Sequence, residues 1–346
     1  MIEVGLIGFG LAGRAFHAPV IRAVPGLHLA AILQRSSNEA AEKYPDVRIV
    51  RSLDELLAIK EIQLIVIATP NDSHYPIARQ CLAAGRDVVV DKPFTTTFEE
   101  ARSLVEFAGE MGRLLTVYQN RRYDGDFQGI RQLVAAGTLG RIVRFETSYD
   151  RYRPQLKPGA WREMQRPGSG ILFDIAPHLI DHALVLFGLP EAVTADVRIE
   201  RENALADDAF DITLHYPGSM RAVLRSSILA VTPRPRFVVF GVQGTFVKQS
   251  FDPQENNLRH GIIPADTAWG LEPEENWGVL TVPRGDSFEQ RRIPAASCDY
   301  RDYYLNVRDA ILGHAALAVT PEYALDVMRM LELVRESSQK RRTIPW

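Results

Sequence analysis

The chain has 346 residues, with 40 Lys and Arg against 43 Asp and Glu and a formal net charge of -3. This length exceeds the roughly 250–300 residues at which one hydrophobic core stops growing, so we expect two domains. The near-neutral charge argues against a nucleic-acid or anionic-membrane partner, because binding phosphates needs a basic surplus. Two cysteines, Cys81 and Cys298, are too few for a disulfide scaffold or a thiolate zinc site, which favours a reducing, cytoplasmic compartment.

The apolar N-terminus is not expected to be a signal peptide. It has no basic leading region, and glycines interrupt the apolar run. No stretch reaches the roughly 18 uncharged apolar residues that a membrane span requires, so we expect a soluble chain.

The first third of the chain alternates strands with helices. Short runs of branched apolar residues predict strands at 2–8, 27–33, 63–68, 87–90 and 114–118. The segments between them predict helices at 12–24, 39–43, 53–58, 74–84 and 97–109. This alternation indicates crossover units and an α/β fold with a parallel sheet covered on both faces.

After residue 120 strand patterns predominate. Strands are predicted at 142–151, 192–200, 210–216, 220–229, 236–241 and 245–249, and helices at 127–136, 173–187, 303–312 and 324–336. Residues 252–286 are rich in Pro, Gly, Asn and Glu and are expected to be irregular. We therefore predict one domain over 1–120 and an α+β domain over 121–346 with an open, largely antiparallel sheet. Burial of the open face predicts a homodimer or homotetramer.

The turn after the first strand reads G-x-G-x-x-G from Gly8 to Gly13. It follows a strand and opens a helix, which is the context in which this motif binds a dinucleotide. Gly8 permits the tight turn, Gly10 lets a pyrophosphate approach the backbone, and Gly13 lets the helix pack on the strand. Leu11 and Ala12 would supply amides at the helix N-terminus. The alternative is a glycine-rich turn that binds nothing.

The cofactor is predicted from the end of the second strand, which reads Leu-Gln-Arg-Ser-Ser over residues 33–37. An acidic residue here would hold the ribose 2′-hydroxyl of NAD, and none is present. Arg35 and Ser36 could instead pair with a 2′-phosphate. The sequence thus favours NADP over NAD, the alternative being that Arg35 is a solvated loop residue.

Polar residues follow two further strands of the predicted sheet. Thr69, Pro70 and Asn71 follow one strand, and Asp91 and Lys92 precede a proline at the end of the next. Ligands bind at the carboxyl ends of strands in doubly wound sheets. On these residues alone, Lys92 is equally well explained as a catalytic group or as a surface lysine.

Asp174, His178 and Asp181 recur at helical spacing and share one helix face. A carboxylate and an imidazole placed in this way form a plausible acid–base pair. Pro177 fits only the first turn of a helix or a kink, and the first of these predicts that Asp174 lies near the N-cap. Capping by Asp174 and a structural, buried His178 are the alternatives. His178 and His182, with Asp181 between them, imitate a two-histidine zinc motif. A zinc site is disfavoured, because that motif normally carries Glu between its histidines and needs a third ligand that cannot be placed.

These motifs resemble, in order and spacing, those of the Gfo/Idh/MocA oxidoreductases, and the resemblance covers essentially the whole chain. The motifs are the glycine turn, Thr-Pro-Asn-x-x-His ending at His74, Asp-Lys-Pro at 91–93 and Asp-x-x-x-His ending at His178. The resemblance is closest to the NADP-dependent scyllo-inositol dehydrogenase branch. Segments similar to that branch occur at 16–19, 91–94, 120–122, 152–154, 161–163 and 252–255.

The resemblance implies a Rossmann domain, an open-sheet domain and an active site in the cleft between them. It implies Lys92, Asp174 and His178 as the catalytic group. His178 would take the hydroxyl proton, Lys92 would polarise the same oxygen, and Asp174 would orient the pair. His74 and His17 would lie near the cofactor.

A polyol pocket needs many polar groups and a flat apolar face. Asn120, Arg153, Trp161 and Arg162 are expected to line it together with Asp174 and His178, although ordinary loop packing explains the first four almost as well. Tyr303 and Tyr304 could face either the cleft or the core.

Asp91, where the family usually has Glu, and Gln119, where close relatives often have His, depart from the family pattern. The predicted function is hydride transfer between NADP(H) and a cyclic polyol or sugar of the scyllo-inositol kind. The alternatives are a reductase of another sugar-derived or dicarbonyl compound and a cofactor-binding regulator without catalytic activity.

Overall fold

The computed structural model describes residues 1–157, 159–266, 269–297 and 299–346. Two compact units are distinguished by their packing. The first comprises Met1–Asn120, Pro253–Gly270 and Asp299–Met328, and the second comprises Arg121–Asp252, Leu271–Cys298 and Arg329–Trp346. Cys81 is buried, which raises the pKa of its thiol to about 12, and Cys298 lies outside the described residues.

The strands of the described ranges form two sheets. In chain order they are β1 Ile2–Ile7, β2 Leu27–Leu33, β3 Arg48–Val50, β4 Ile62–Ile67, β5 Asp87–Asp91, β6 Leu115–Tyr118, β7 Ile142–Ser148, β8 Ala192–Arg198, β9 Ala209–His215, β10 Arg221–Ser227, β11 Phe237–Gly241, β12 Gly244–Lys248, β13 Gly278–Arg284, β14 Ser287–Ile293 and β15 Ile344–Pro345.

The α-helices of the same ranges are α1 Ala18–Arg22, α2 Glu39–Lys43, α3 Leu53–Leu57, α4 His74–Ala83, α5 Phe98–Met111, α6 Gly125–Ala135, α7 Gly170–Phe187, α8 Gln254–Arg259, α9 Arg301–Ile311 and α10 Pro321–Lys340. A π-helical segment, Ala12–His17, runs directly into α1. The helix predicted over 12–24 is therefore present, and its first part has the wider turns of a π-helix.

The sheet of the first unit has the order β3-β2-β1-β4-β5-β6, and its neighbouring strands are parallel. The strands β4 and β5 are buried along most of their length, as expected where helices cover both faces. The strand order reverses direction between β1 and β4. The carboxyl ends of these strands therefore form the topological switch point at which α/β sheets bind ligands. This confirms the predicted parallel α/β arrangement.

The sheet of the second unit has the order β14-β13-β12-β11-β7-β10-β9-β8-β15. Its described neighbours are antiparallel except β7 and β10, which confirms the largely antiparallel prediction. Alternating residues of β9 are buried. Asp211, at a partly exposed position between them, pairs with Arg225 of β10 at 3.1 Å, and Arg225 also pairs with Glu146 of β7 at 3.1 Å. This sheet thus has one apolar face and one charged face.

The sequence did not predict β3, α8, β13 or β14. The stretch 252–286, expected to be irregular, contains α8 and the whole of β13. Because β14 is largely exposed and reads Ser-Phe-Glu-Gln-Arg-Arg-Ile, it has no apolar run to mark it. Its place in the sheet comes from backbone pairing with β13.

Among the described residues, α7 is the one helix long and apolar enough to cross a membrane by length and mean hydropathy. It contains two aspartates, and 78% of it is buried inside the protein. It packs on β7, β9 and β10, as the core helix of a globular unit does.

The predicted division into residues 1–120 and 121–346 stays a prediction. The packing adds α8 and α9 to the first unit, because α8 contacts the π-helical segment and α9 contacts α1. Two stretches of the later sequence thus pack with the N-terminal segment.

Candidate active site

The three glycines after β1 occupy three different environments. Gly8 has φ +97°, and a Cβ there would lie 2.5 Å from the carbonyl oxygen of Ala68. A Cβ on Gly13 would lie 2.0 Å from the carbonyl oxygen of Gly8. At Gly10, by contrast, no described heavy atom beyond its two chain neighbours lies within 4 Å of the position that a Cβ would take. Backbone packing therefore requires Gly8 and Gly13, while Gly10 borders open space that an incoming group can occupy.

The helical segment begins directly after Gly10. Leu11 is 42% exposed, and the amide of Arg14 donates to the carbonyl oxygen of Gly10 at 2.9 Å. The first amides of a helix, here those of Leu11 and Ala12, have no acceptor within the helix. Together with the space at Gly10, they fit the phosphates of a dinucleotide.

The loop after β2 presents Arg35 and Ser36 to solvent. Among the described residues, neither side chain makes a hydrogen bond or an ion pair. Glu39 is the first acidic residue after β2, and its carboxylate forms an ion pair with Arg14. The first acid after β2 is therefore paired with Arg14, which directly follows the glycine turn.

His74 joins the ends of β4 and β5. Its Nδ1 lies 2.9 Å from the carbonyl oxygen of Pro93, and its Nε2 lies 3.0 Å from that of Thr69. Burial lowers the pKa of His74, against the charge of Asp91 and the two carbonyl hydrogen bonds. Since the ring is fully buried, His74 supports the loops on either side of it.

The segment that follows β4 is also fixed from within. The hydroxyl of Ser73 lies 2.7 Å from that of Thr69 and donates to the carbonyl oxygen of Pro70 at 2.6 Å. Asn71 is buried, at 5% exposure. Thr69, Pro70 and Asn71 follow β4, which neighbours β1 in the sheet. These three residues therefore lie at the switch point, beside the glycine turn.

Asp91 and Lys92 lie at the carboxyl end of β5. The Lys92 amide donates to Oδ1 of Asp91 at 2.9 Å, and the peptide bond to Pro93 is cis. Burial would raise the pKa of Asp91, but His17, Lys92 and His74 outweigh it and hold that pKa below its usual value. Asp91 is thus a partly buried anion directly beside Lys92.

His17 connects this anion to the core. Its Nδ1 lies 2.6 Å from the hydroxyl of Tyr304, and its Nε2 lies 3.8 Å from Oδ1 of Asp91. Burial raises the pKa of Tyr304 well above its usual value, so the hydroxyl stays protonated. Tyr303 and Tyr304 are both buried, which places them in the core of the first unit.

The prediction that Asp174 lies near a helix N-cap is wrong. The helix α7 begins at Gly170 after the N-cap Ser169, and it continues through Pro177. Asp174 is therefore its fifth residue. The first amides are satisfied by another segment: Asp207 accepts from Leu172 at 2.6 Å through Oδ1, and its backbone oxygen accepts from Ile171 at 2.8 Å. Because Asp207 supplies these acceptors, the helix starts one turn before the position that Pro177 predicts.

Two arginines flank the Asp174 carboxylate. Arg151 Nη1 lies 3.4 Å from one oxygen, and Arg162 Nε lies 3.4 Å from the other. His178 follows one turn later on the same helix and is buried, with 5% exposure. Both side chains thus lie on one face of α7.

Asp181 and His182 have structural partners. Arg122 Nε and Nη2 donate to both oxygens of Asp181 at 2.8–3.0 Å, and burial raises the pKa of this carboxyl. His182 Nε2 lies 3.2 Å from the carbonyl oxygen of Arg121, and the ring stacks on Phe127. Among the described residues there is no cluster of His, Cys, Asp and Glu suited to a metal ion.

The residues predicted to bind substrate lie in several places. Trp161 and Arg162 form a short 3-10 turn, and the guanidinium of Arg162 lies over the indole at 4.4 Å while reaching Asp174. Arg153 lies on an exposed segment, and its amide donates to Ile228. Asn120 is buried at the end of the first segment of the first unit. Within the second unit, the structure brings Trp161 and Arg162 to the Asp174 end of α7.

A family model described as "Oxidoreductase family, NAD-binding Rossmann fold" matches residues 2–119, and one for the "GFO/IDH/MocA C-terminal domain" matches residues 127–247. The uncharacterized oxidoreductase YdgJ of Escherichia coli is 41% identical over 99% of this chain and 98% of its own length. The chain belongs to the Gfo/Idh/MocA oxidoreductase family.

Two further comparisons cover the whole molecule. The scyllo-inositol 2-dehydrogenase (NADP(+)) IolW of Bacillus subtilis is 38% identical over 99% of this chain and 95% of its own length. The solved structure of the Bacillus subtilis protein YvaA matches with a TM-score of 0.95 at 38% identity, over 100% of this chain and 98% of that one. These findings confirm the predicted family and fold class.

As a Gfo/Idh/MocA oxidoreductase, the chain is an NAD(P)-dependent enzyme with an NAD-binding Rossmann domain and a small-molecule substrate. The open space at Gly10 and the amides of Leu11 and Ala12 fit this cofactor class.

Sequence reasoning missed Arg151 as a partner of Asp174 and Asp207 as the residue that caps α7. Arg151 adjoins the Tyr-Arg-Pro segment at 152–154, so its position could have been noticed. Nothing in the local sequence marks Asp207, because it reaches α7 from 35 residues further along the chain.

Proposed function

We propose that this chain is an NADP(H)-dependent dehydrogenase of a cyclic polyol or sugar, with scyllo-inositol and the corresponding ketone as the reference pair. The main support is the 38% identity to the NADP-dependent scyllo-inositol 2-dehydrogenase IolW over nearly the full length of both chains. Arg35 and Ser36 support the choice of NADP(H), because a guanidinium and a hydroxyl pair with a 2′-phosphate. The first acid after β2, Glu39, is paired with Arg14.

The cofactor site is proposed on the first unit. The pyrophosphate would lie in the open space at Gly10. The amides of Leu11 and Ala12 would bind it, and Gly8 and Gly13 give the turn its shape. Thr69, Pro70 and Asn71 line the adjoining part at the end of β4, with His74 fixing their backbone from beneath.

The catalytic roles are proposed for Lys92, Asp174 and His178. The nicotinamide, when bound, accepts the hydride from the carbinol carbon or returns it. Lys92 donates a hydrogen bond to the reacting oxygen, and His178 takes the hydroxyl proton during oxidation. Asp174 places a carboxylate one helical turn before His178 and is proposed to orient the imidazole and favour the imidazolium that forms. Arg151 and Arg162 hold that carboxylate in place.

The substrate is proposed to contact Asn120, Arg153, Trp161 and Arg162. A partly exposed indole with a guanidinium over it offers a flat apolar surface beside hydrogen-bond donors, which suits a ring that carries hydroxyl groups.

A reductase of another sugar-derived or dicarbonyl compound is the second candidate. Gln119 favours it: the side chain is buried, and its Oε1 has no hydrogen-bond partner among the described residues. A buried acceptor of this kind calls for a donor. Close relatives often have His at this position, and an amide selects a different set of substrate hydroxyl positions from an imidazole.

The setting is also part of the proposal. Near-neutral charge is compatible with an uncharged substrate and offers no basic surplus for nucleic acid or anionic membrane. We place the enzyme in the cytoplasm as a homodimer or homotetramer.

The proposed catalytic roles predict that Lys92→Ala and His178→Ala each lower kcat for scyllo-inositol oxidation by about a hundredfold or more. NADPH binding, followed by nicotinamide fluorescence, should change by less than about threefold, because neither side chain is assigned to the cofactor. Lys60→Ala is the matched control, since Lys60 is exposed. A variant that retains wild-type kcat would remove its residue from the mechanism.

A further inference from the structure

Arg51, directly after β3, reaches back to the loop that follows β2. Its Nη1 donates to the carbonyl oxygens of Gln34 at 2.7 Å and Ser37 at 2.6 Å. Its Nη2 donates to Oδ1 of Asn38 at 2.5 Å. One guanidinium thus holds both ends of a five-residue loop, here named the 34–38 loop.

The 34–38 loop carries the two residues assigned to the 2′-phosphate. Arg35 and Ser36 lie between the points that Arg51 holds, and among the described residues their side chains make no hydrogen bond. The loop is also fixed from its inner side, where Gln34 Oε1 accepts the amide of Ala40 at 3.0 Å. The backbone is therefore restrained while the outward side chains stay available for an anion.

We propose that Arg51 is a specificity-determining positioning residue, which holds the 34–38 loop so that Arg35 and Ser36 meet the 2′-phosphate of NADP(H). This inference rests on the proposed NADP(H) preference. Restraining the loop before binding lowers the entropy lost when a ligand is bound. NADH has no 2′-phosphate and gains little from an ordered Arg35.

The geometry of the contact requires arginine. The three acceptors come from two backbone carbonyls and one side-chain amide, and a planar guanidinium fork reaches them together. A lysine at this position keeps the charge but presents one ammonium on a flexible stem. Replacement by lysine therefore separates a role in positioning from a role of charge alone.

The test measures dissociation constants of NADPH and NADH by nicotinamide fluorescence for full-length wild type, R51Q, R51K and R35Q. We expect R51Q and R51K to weaken NADPH by about tenfold and NADH by less than about threefold. Arg48→Gln is the control, because Arg48 is an exposed cation on β3, three residues before Arg51. It should change neither constant, and thermal unfolding of each variant should confirm that it is folded.

A double variant shows whether Arg51 acts through Arg35. R35Q/R51Q should lose no more NADPH affinity than R35Q alone, because the two residues serve one contact. Fully additive losses would overturn the positioning role. If R51K binds NADPH as tightly as wild type while R51Q binds it more weakly, only the charge of Arg51 matters. That result would also overturn the positioning role.

The remaining outcomes separate the two proposals. If wild type prefers NADPH and R51Q keeps the same preference, only the role of Arg51 is overturned. Equal weakening of both cofactors would show a general structural role and also overturn it. A wild type that binds NADH more tightly would overturn the NADP(H) preference and this inference together.

Discussion

The glycines of the turn after β1 are required for different physical reasons. Gly8 and Gly13 have no room for a side chain, because a Cβ at either would overlap a backbone carbonyl. Gly10 has room on the protein side, so its lack of a side chain benefits only a ligand. The motif predicted a binding turn, and the structure distinguishes the two packing glycines from the one that faces open space.

This distinction predicts that one alanine substitution weakens cofactor binding and that another lowers stability. Gly10→Ala should unfold at the wild-type temperature but weaken NADPH by about tenfold or more, because the methyl group occupies the proposed path of the pyrophosphate. Gly13→Ala should lower the unfolding temperature by several degrees, about what a loss of 1–3 kcal/mol causes. Calorimetry and fluorescence titration measure the two effects.

The control for these variants is Gly109→Ala in α5, where a Cβ also meets no described atom within 4 Å. It should be neutral or slightly stabilising, since alanine is the better helix former. Unchanged NADPH affinity in Gly10→Ala would contradict the assignment of the turn to the cofactor.

At the scale of elements, α7 shows where prediction from sequence ends. Its apolar pattern predicted a helix over 173–187, but Pro177 suggested a start near Asp174. The observed start at Gly170 depends on Asp207, which is remote in sequence. Similarly, β14 has no apolar pattern and is held by backbone pairing with β13. Local patterns predicted most elements that bury an apolar face, whereas a contact remote in sequence decided the start of α7 and pairing with the preceding strand decided β14.

Asp207 predicts a measurable pH dependence of stability. Burial raises the pKa of its carboxyl to about 6 from the ordinary 3.8, so the folded state holds the proton more tightly than the unfolded chain. This contribution to the free energy of unfolding is complete below about pH 4 and is lost as the pH rises to about 6, by up to about 3 kcal/mol.

Asp207→Asn keeps an oxygen for the Leu172 amide and cannot ionise. Urea unfolding should therefore show a variant more stable than wild type at pH 7, with a flatter profile between pH 4 and 6. Asp207→Ala removes the acceptor and should be about 1–2 kcal/mol less stable than the Asn variant. An Asn variant that is less stable than wild type at pH 7 would contradict this account of the helix start.

At the scale of the whole molecule, length predicted more than one domain, and the packing distinguishes two units. The motifs predicted a Gfo/Idh/MocA oxidoreductase, which the comparisons confirm. The residues around the predicted site were less predictable. His17 meets Tyr304 across 287 positions, and no local pattern indicates such a contact.

The proposed activity of the enzyme, and the central claim, is oxidation of a cyclic polyol with NADP(+). The direct measurement is the initial rate of nicotinamide reduction by purified full-length protein, with scyllo-inositol, other inositols and aldoses, each tested with both cofactors. We expect scyllo-inositol or a close ring polyol to be oxidised, with kcat/KM at least about tenfold higher for NADP(+) than for NAD(+), as a paired 2′-phosphate requires. NADPH binding without turnover of any polyol or inosose, or faster turnover with NAD(+), would contradict the claim.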